Sequence, residues 1–340
     1  FYKSDPVKWK ETLVSEIGLV IAYSKMYSPL NDIRKTLNEL DDLLLNDTST
    51  VSRIKRINYL RSSAQISLDV ADDNALMESV LRIDSICNSL LSEKVAFSAE
   101  EKKSMLASIV DSKLLLGNAA LKKNYIVEAR EYYESGLSQL SDLDMIDTEL
   151  GKLRCRLHYQ LAKLPSMTRL EAAQHAAEAV RWSGRLLRFY FFELAECVLH
   201  ASDYPEVILD FCETFVSALE PRNQSILPQY LMEASNREIN VIDVISEFSK
   251  VLIALNTERA NTALHNLLQA LSSAFDFILR RRAIHNDAIE LIDKLAFQLN
   301  ELSIILGEAG ISMDDFSGLA KAQNAYSGVF LNDDSSMNAE

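Results

Sequence analysis

Apolar residues recur every three or four positions along most of the chain, which is the spacing of one buried face on an α-helix. The first clear stripe follows the Ser28-Pro29 pair and consists of Leu30, Ile33, Leu37, Leu40 and Leu44. This spacing predicts helices over 4–27, 30–44, 52–71, 74–92, 99–122, 126–141, 146–163, 168–182, 185–201, 205–219, 225–235, 239–255, 257–281 and 285–308.

The residues that start and break helices support an all-α chain. Ser98 followed by Glu101 predicts a capping box at the start of the 99–122 helix. The chain contains only 9 glycines and 6 prolines, whereas β-sheet proteins need many turns rich in these residues. Successive helices joined by short loops are expected to pack as antiparallel hairpins.

One hairpin carries a specific arrangement of small and aromatic residues. Residues 114–137 read LLLGNAALKKNYIVEAREYYESGL, with Leu116-Gly117 in the first helix and Ala129, Tyr133 and Gly136 in the second. Two antiparallel helices approach closely only where small residues stand at the crossing and large ones fill the space beside it. We therefore interpret the glycines and tyrosines as packing residues and not as a reaction site.

This large-small, small-aromatic-small pattern resembles the tetratricopeptide repeat, a 34-residue helical hairpin. A second match is found at 194–215, where Leu194-Ala195 takes the first-helix positions and Phe211 the aromatic position. A poorer match combines Tyr159-Gln160 with Ala172, Ala176 and Ala179. The resemblance implies a right-handed superhelix of antiparallel helical hairpins over 1–221; a generic helical solenoid or stacked bundles remains the alternative.

The C-terminal third follows a different pattern. The last predicted helix has a heptad-like stripe made of Ile289, Ile292, Ala296, Leu299, Ser303 and Leu306. Its apolar face is wide, which favours a C-terminal helical bundle over 222–309 that caps the repeats. A homodimer formed through these C-terminal helices stays open, and the weaker pattern over 310–340 predicts a weakly structured tail.

Charge and cysteine content narrow the classes of partner. The net charge of −14 repels phosphate backbones, so we expect no nucleic-acid partner. No apolar run approaches the roughly 20 residues of a membrane span, so no direct membrane insertion is expected. The four cysteines lie inside helical apolar patterns, which indicates buried, reduced thiols and favours a cytoplasmic location.

The absence of known catalytic motifs from the sequence favours a protein that is not an enzyme and has no cofactor. Phosphate-binding loops, GxSxG serine elbows and HExxH zinc motifs are absent from the sequence. The pairs Cys155/His158 and Cys197/His200 have a helical i,i+3 spacing that could serve zinc, but we interpret them as chance pairs and expect no metal. Acid pairs such as Asp41-Asp42 are expected at exposed turns.

The densest candidate for binding is the aromatic run Phe189-Tyr190-Phe191-Phe192, which follows the arginines of RWSGRLLRF. In tetratricopeptide-like proteins the first helix of each unit lines a concave groove. The resemblance therefore implies a partner-binding groove formed by Asn118, Lys122, Arg154, Leu157, Arg185, Arg188, Phe189, Phe192 and Glu196. The alternatives are that the aromatics fill the core between repeats and that the arginines only pair with nearby glutamates.

Taken together, the patterns predict a protein–protein interaction scaffold or adaptor whose groove binds a peptide or helix of another protein. The alternative is a sensory or regulatory input domain of a larger signalling protein, which would bind a small ligand or peptide.

Overall fold

The computed structural model describes residues 28–92, 97–140, 149–219, 226–233, 240–282 and 287–324. Within these ranges every regular element is helical and none is a strand, which confirms the all-α class. We number the helices as follows: α1 Ser28–Leu43, α2 Thr50–Asp69, α3 Asp73–Ser92, α4 Ala99–Lys122, α5 Ile126–Ser138, α6 Glu149–Ala162, α7 Arg169–Trp182, α8 Leu187–Leu199, α9 Pro205–Leu219, α10 Ile226–Glu233, α11 Val241–Leu255, α12 Glu258–Arg282, α13 Asp287–Glu308 and α14 317–324. The predicted helix over 4–27 lies outside the described residues.

Two compact units divide the chain, an N-terminal unit up to Ser166 and a C-terminal unit from Met167. In the N-terminal unit α1 packs on α2, α2 on α3 and α4 on α5, as the short connections between them predict. In the C-terminal unit α9 and α11 both pack against α12. The division into repeats over 1–221 and a bundle over 222–309 stays a prediction.

Side-chain caps fix where several helices begin. Ser98 and Glu101 form the predicted capping box at α4, since the Ser98 hydroxyl accepts from the Glu101 amide at 3.2 Å and the Glu101 carboxylate from the Ser98 amide at 2.8 Å. Thr168 with Glu171 and Asn240 with Asp243 repeat this arrangement at α7 and α11. Each cap satisfies amides that the first helical turn leaves without a partner.

The α4–α5 hairpin is closed by the residues that the sequence singled out. Tyr133 is fully buried and its ring lies against Gly117, where an added Cβ would be 2.3 Å from the ring atom Cε1. The Tyr133 hydroxyl donates to Asn118 Oδ1 at 2.8 Å, and burial raises the pKa of this hydroxyl above its ordinary value. The burial of Tyr133 against Gly117 makes it a packing residue, as predicted.

A network of aromatic rings forms much of the core of the C-terminal unit. Phe191 of α8 is fully buried and stacks on Phe215 of α9, with ring centroids 4.4 Å apart. It also stacks on Tyr230 of α10 at 5.4 Å, while Phe211 contacts Phe248 of α11 at 5.5 Å. These rings connect four consecutive helices, α8 to α11.

The heptad-like stripe of α13 is already occupied within the C-terminal unit. Of its described members, Ala296, Leu299 and Leu306 are buried and Ser303 is half-buried, and α13 packs against α11 and α12. The side chains of Ile289 and Ile292 lie outside the described residues. A homodimer through the C-terminal helices stays a prediction, but the three buried residues face their own unit.

One acidic residue differs from its predicted environment. Asp41, expected with Asp42 at an exposed turn, has no solvent exposure at all. Its Oδ1 accepts from Arg56 Nε at 2.6 Å and its Oδ2 accepts from Arg82. The prediction for Asp41 is therefore wrong: its carboxylate is a buried ionic link between α1, α2 and α3.

The segment 310–324, predicted to be weakly structured, is ordered. It forms a 3-10 turn over Met313–Asp315 and then α14. Phe316, Leu319 and Ala322 are buried, and Lys321 forms an ion pair of 2.8 Å with Asp276 of α12. Three apolar residues are too few for a clear stripe in the sequence, but they are enough once α12 provides a surface. Residues 325–340 lie outside the described ranges.

The docking of α14 depends on the absence of a side chain at Gly318. Its amide donates to Ser272 Oγ at 2.9 Å, and an added Cβ would lie 1.9 Å from the Ser272 carbonyl oxygen. We expect Gly318→Ala to detach α14 and to lower hydrogen-exchange protection over 317–324 by about 5- to 150-fold, which corresponds to an overpacking cost of about 1–3 kcal/mol.

The matched control is Gly307→Ala, because an added Cβ at Gly307 in α13 meets nothing within 4 Å. This change is expected to be neutral or to stabilise the helix by up to about 1 kcal/mol through helix propensity. Unchanged protection over 317–324 in Gly318→Ala would contradict the assigned role of Gly318.

Candidate interaction surface on helix α8

Five of the predicted groove residues share one side of a single helical run. Arg185 lies in the 3-10 turn Gly184–Leu186 that leads into α8, and Phe189, Phe192 and Glu196 follow at steps of four, three and four. This spacing places them along one face, with Arg188 beside Phe189. We call these five residues the α8 face.

The centre of the α8 face is a solvent-exposed aromatic ring. Phe189 is 60% exposed, and the guanidinium carbon of Arg188 lies 4.4 Å from the centre of its ring. A cation over an aromatic face is stabilised by the charge distribution of the ring. The stack therefore places a cation directly beside an exposed apolar surface.

The arginines of the α8 face keep their charge available. Neither Arg185 nor Arg188 forms an ion pair with any carboxylate of the described residues, whereas Arg181 on α7 pairs with Glu178. The alternative that the arginines pair with nearby glutamates therefore holds for Arg181 alone among these three. Glu171 instead completes the cap of α7.

The neighbouring rings of the aromatic run have different roles. Phe192 is half-buried and meets Tyr230 edge to face, with centroids 4.9 Å apart. The Tyr230 hydroxyl donates to the Leu187 carbonyl at 3.0 Å and fixes α10 against the start of α8. Core packing and an exposed surface are therefore combined in this run: Phe191 is core, Phe192 is at the boundary, and Phe189 is outside.

The four groove residues predicted in the N-terminal unit are engaged inside that unit. Asn118 accepts from Tyr133, Lys122 Nζ donates to the Leu68 carbonyl at 2.8 Å, and Arg154 donates to the Leu140 carbonyl at 3.2 Å. Leu157 is fully buried, and its methyl groups cover Gly136. Leu157 is therefore a packing residue, which differs from its predicted place in an open groove.

The structure also has a polar groove that the sequence did not indicate. Arg61 of α2 donates to Asp111 of α4 at 3.2 Å and to Glu149 of α6 at 2.9 Å, and borders a groove of about 420 Å³. Burial lowers the pKa of the Arg61 guanidinium, but the charges and hydrogen bonds of both carboxylates outweigh that effect and raise it. Arg61 thus acts mainly as a link between three helices.

The cysteine and histidine pairs do not have the features of a metal site. Cys155 and His158 are buried, and burial raises the pKa of the Cys155 thiol to about 12. Across the described ranges no three His, Cys, Asp or Glu side chains gather closely enough to hold an ion. None of the four cysteines forms a disulfide; Cys87, Cys155 and Cys212 are buried as predicted, whereas Cys197 is only half-buried.

Two further findings bear on function. In the part of the chain that the structure describes, no helix is both long enough and apolar enough to span a lipid bilayer. No protein-family model matches the chain, and no curated protein is significantly similar to it in sequence.

Proposed function

We propose that the chain is a degenerate tetratricopeptide-like helical-repeat protein that acts as a non-enzymatic interaction scaffold and binds a segment of another protein on the α8 face. The observation that carries this proposal is the exposed Phe189 ring under the Arg188 guanidinium. Aromatic and arginine side chains dominate the binding energy of protein interfaces.

The repeat assignment is supported by the burial of matching positions in two helix pairs. In α4–α5 the small residue Gly117 receives the Tyr133 ring, and Ala129 is fully buried. In α8–α9 the corresponding residues Ala195 and Phe211 are also fully buried. Both helix pairs thus bury their small and aromatic positions, as the resemblance to the tetratricopeptide repeat implies.

The chemistry of the α8 face specifies its partner. Phe189 offers an apolar surface, while Arg185 and Arg188 offer two guanidinium groups that bind carboxylates through paired hydrogen bonds. We infer that the bound segment presents an apolar side chain next to Asp or Glu. The net charge of −14 repels such a segment elsewhere, so the local arginines determine where it docks.

The test is selection of binding peptides from a random peptide library displayed on phage against the purified chain. We expect enriched peptides to combine an aromatic or aliphatic residue with a nearby acidic one. The double variant Arg188→Ala/Phe189→Ala should bind these peptides at least about 30-fold more weakly in fluorescence anisotropy, which corresponds to about 2 kcal/mol for lost hot-spot contacts. Binding should also weaken as salt is raised.

The matched control is Phe297→Ala, which removes another exposed phenylalanine of the C-terminal unit, 74% exposed on α13. Neither variant should change the thermal midpoint appreciably, since surface substitutions alter stability by about 0.5 kcal/mol or less. Phe192→Ala is a poorer choice, because its ring packs on Phe191 and Tyr230. If the enriched peptides bind the double variant as tightly as the parent chain, the α8 face is not the docking surface.

A further inference from the structure

The C-terminal unit contains a cavity of about 480 Å³ that lies apart from the α8 face. It opens between the turn that joins α11 to α12 and the turn that follows α13. Its lining consists of Ile253, Asn256, Asn261, Leu264, His265, Leu268, Ala309, Gly310, Ile311, Asp315 and Phe316.

The lining has the composition of a small-molecule site, in which an apolar wall is combined with a few polar groups. Leu264, Leu268 and Phe316 are buried and form the apolar wall. His265 lies against Phe316, with ring centroids 5.3 Å apart, and the amides of Asn256 and Asn261 stand at the exposed rim. A ligand with one apolar end and one polar end suits this arrangement.

The electrostatics of the cavity favour a cation. Asp315, which is exposed at the mouth of the cavity, contributes a carboxylate that has no hydrogen-bond or ion-pair partner within the described ranges, and the lining includes no lysine or arginine. The helices α11 and α13 both end at the cavity, where Asn256 and Gly310 take left-handed conformations with φ of 47° and 73°. A helix C-terminus carries a partial negative charge, so two such ends add to the effect of Asp315.

The start of α12 also borders the cavity and carries a partial charge of the opposite sign. Its first turn contains Glu258, whose carboxylate offsets that charge, and Arg259, whose guanidinium is paired with Asp210 and Glu213. The balance of charges around the cavity therefore remains negative.

We propose that this cavity binds a small organic amine in its protonated form. The ammonium group lies at the Asp315 carboxylate and the adjoining helix ends, and the apolar body lies on Leu264, Leu268 and Phe316. Such a site would give the protein a ligand-binding role that is separate from docking on the α8 face.

The test uses 2-phenylethylammonium as the probe and 3-phenylpropionate as its counterpart, which has a similar apolar body and the opposite charge. Each is titrated into the full chain by calorimetry, and the ring signals of Phe316 and His265 are followed by NMR. We expect saturable binding of the amine with shifts at both rings, and at least tenfold weaker binding of the carboxylate.

Two variants locate the site. Asp315→Asn removes the carboxylate and should weaken binding of the amine about tenfold or more. Its control is Asp314→Asn, a change at a neighbour that is also exposed but does not line the cavity, which should leave binding of the amine unchanged.

Ala309→Phe fills the cavity from its exposed rim and should abolish binding. Ile304→Phe adds a ring at an exposed position of α13 outside the lining and should have no effect.

Three results would overturn the proposal. The first is absence of saturable binding of the amine to the parent chain. The second is binding of 3-phenylpropionate as tight as that of the amine, which would exclude the assigned charge preference. The third is binding that survives both Asp315→Asn and Ala309→Phe, which would place the amine elsewhere.

Discussion

Replacing Asp41 with alanine is expected to lower the free energy of unfolding of the N-terminal unit by about 3–5 kcal/mol, the usual cost of removing one partner from a buried ion pair. The Asp41 carboxylate is fully buried and is held by two guanidinium groups, those of Arg56 and Arg82. Arg56 is itself nearly buried, and burial lowers the pKa of its guanidinium. Without Asp41 this largely buried cation would lose its hydrogen-bonded counterion, and only the charge of the exposed Asp42 would still favour it. Urea unfolding followed by circular dichroism measures the loss.

The neighbouring residue supplies the control. Asp42 also approaches Arg82, at 3.4 Å, but its side chain is 67% exposed. Asp42→Ala should therefore cost about 1 kcal/mol or less, as is usual for exposed ion pairs. If Asp41→Ala and Asp42→Ala prove equally mild, the buried position of Asp41 is wrong.

A third variant separates the free-energy cost of breaking the ion pair from the net contribution of the intact ion pair to stability. Replacing all three partners together, as Asp41→Leu/Arg56→Met/Arg82→Met, removes the charges without leaving one unpaired. Because apolar replacements of buried ion pairs are often neutral or stabilising, we expect this variant to recover most of the stability that Asp41→Ala loses.

The sequence contained a signal for Asp41 that its interpretation as an exposed turn overlooked. Ile33, Leu37 and Asp41 are spaced by four residues, so Asp41 continues the apolar stripe of α1. A charged residue in a buried stripe must find a partner, since an isolated buried charge is very costly. The partners Arg56 and Arg82 lie on other helices, however, and only the fold brings them together.

Helix positions could be predicted because their causes are local. Apolar spacing, the Ser98–Glu101 cap and the scarcity of glycine and proline act within a few residues, and the observed bounds of α4 and α9 are those predicted. Periodicity also placed the α8 face on one side of its helix. It could not show that Tyr230, 38 residues further along, half-covers Phe192 and leaves Phe189 outside.

What covers an apolar surface is decided by tertiary contacts, which local patterns do not encode. Leu157 fits a groove by its position in the repeat, but Gly136 on α5 offers it a bare backbone to pack on. The cavity bordered by Asp315 and Phe316 depends on a turn in which the sequence pattern is weak. These residues show why the fold class was accessible from the sequence while the binding surfaces needed the structure.

Tyr133→Ala is the second substitution with a large expected effect. Large-to-small changes at buried aromatic residues cost about 3–5 kcal/mol, and Tyr133 is fully buried against a glycine that has no side chain to fill the space. Tyr133→Phe is the matched control: it keeps the ring and loses only the hydrogen bond to Asn118, at a cost of about 0.5–1.5 kcal/mol. Urea unfolding of the N-terminal unit measures both.

The decisive test is the effect of Gly117→Ala in two backgrounds. In the parent chain the new Cβ would lie 2.3 Å from the Tyr133 ring, so we expect overpacking of about 1–3 kcal/mol to outweigh the gain in helix propensity of about 1 kcal/mol. In the Tyr133→Ala background the clash disappears, the propensity gain remains, and the new methyl group fills part of the cavity. The same substitution should then stabilise the protein, and this reversal of sign measures the coupling between the two residues. A Gly117→Ala effect that is the same in both backgrounds would mean that the ring and the glycine do not share one packing site, and the structural role assigned to this hairpin would have to be abandoned.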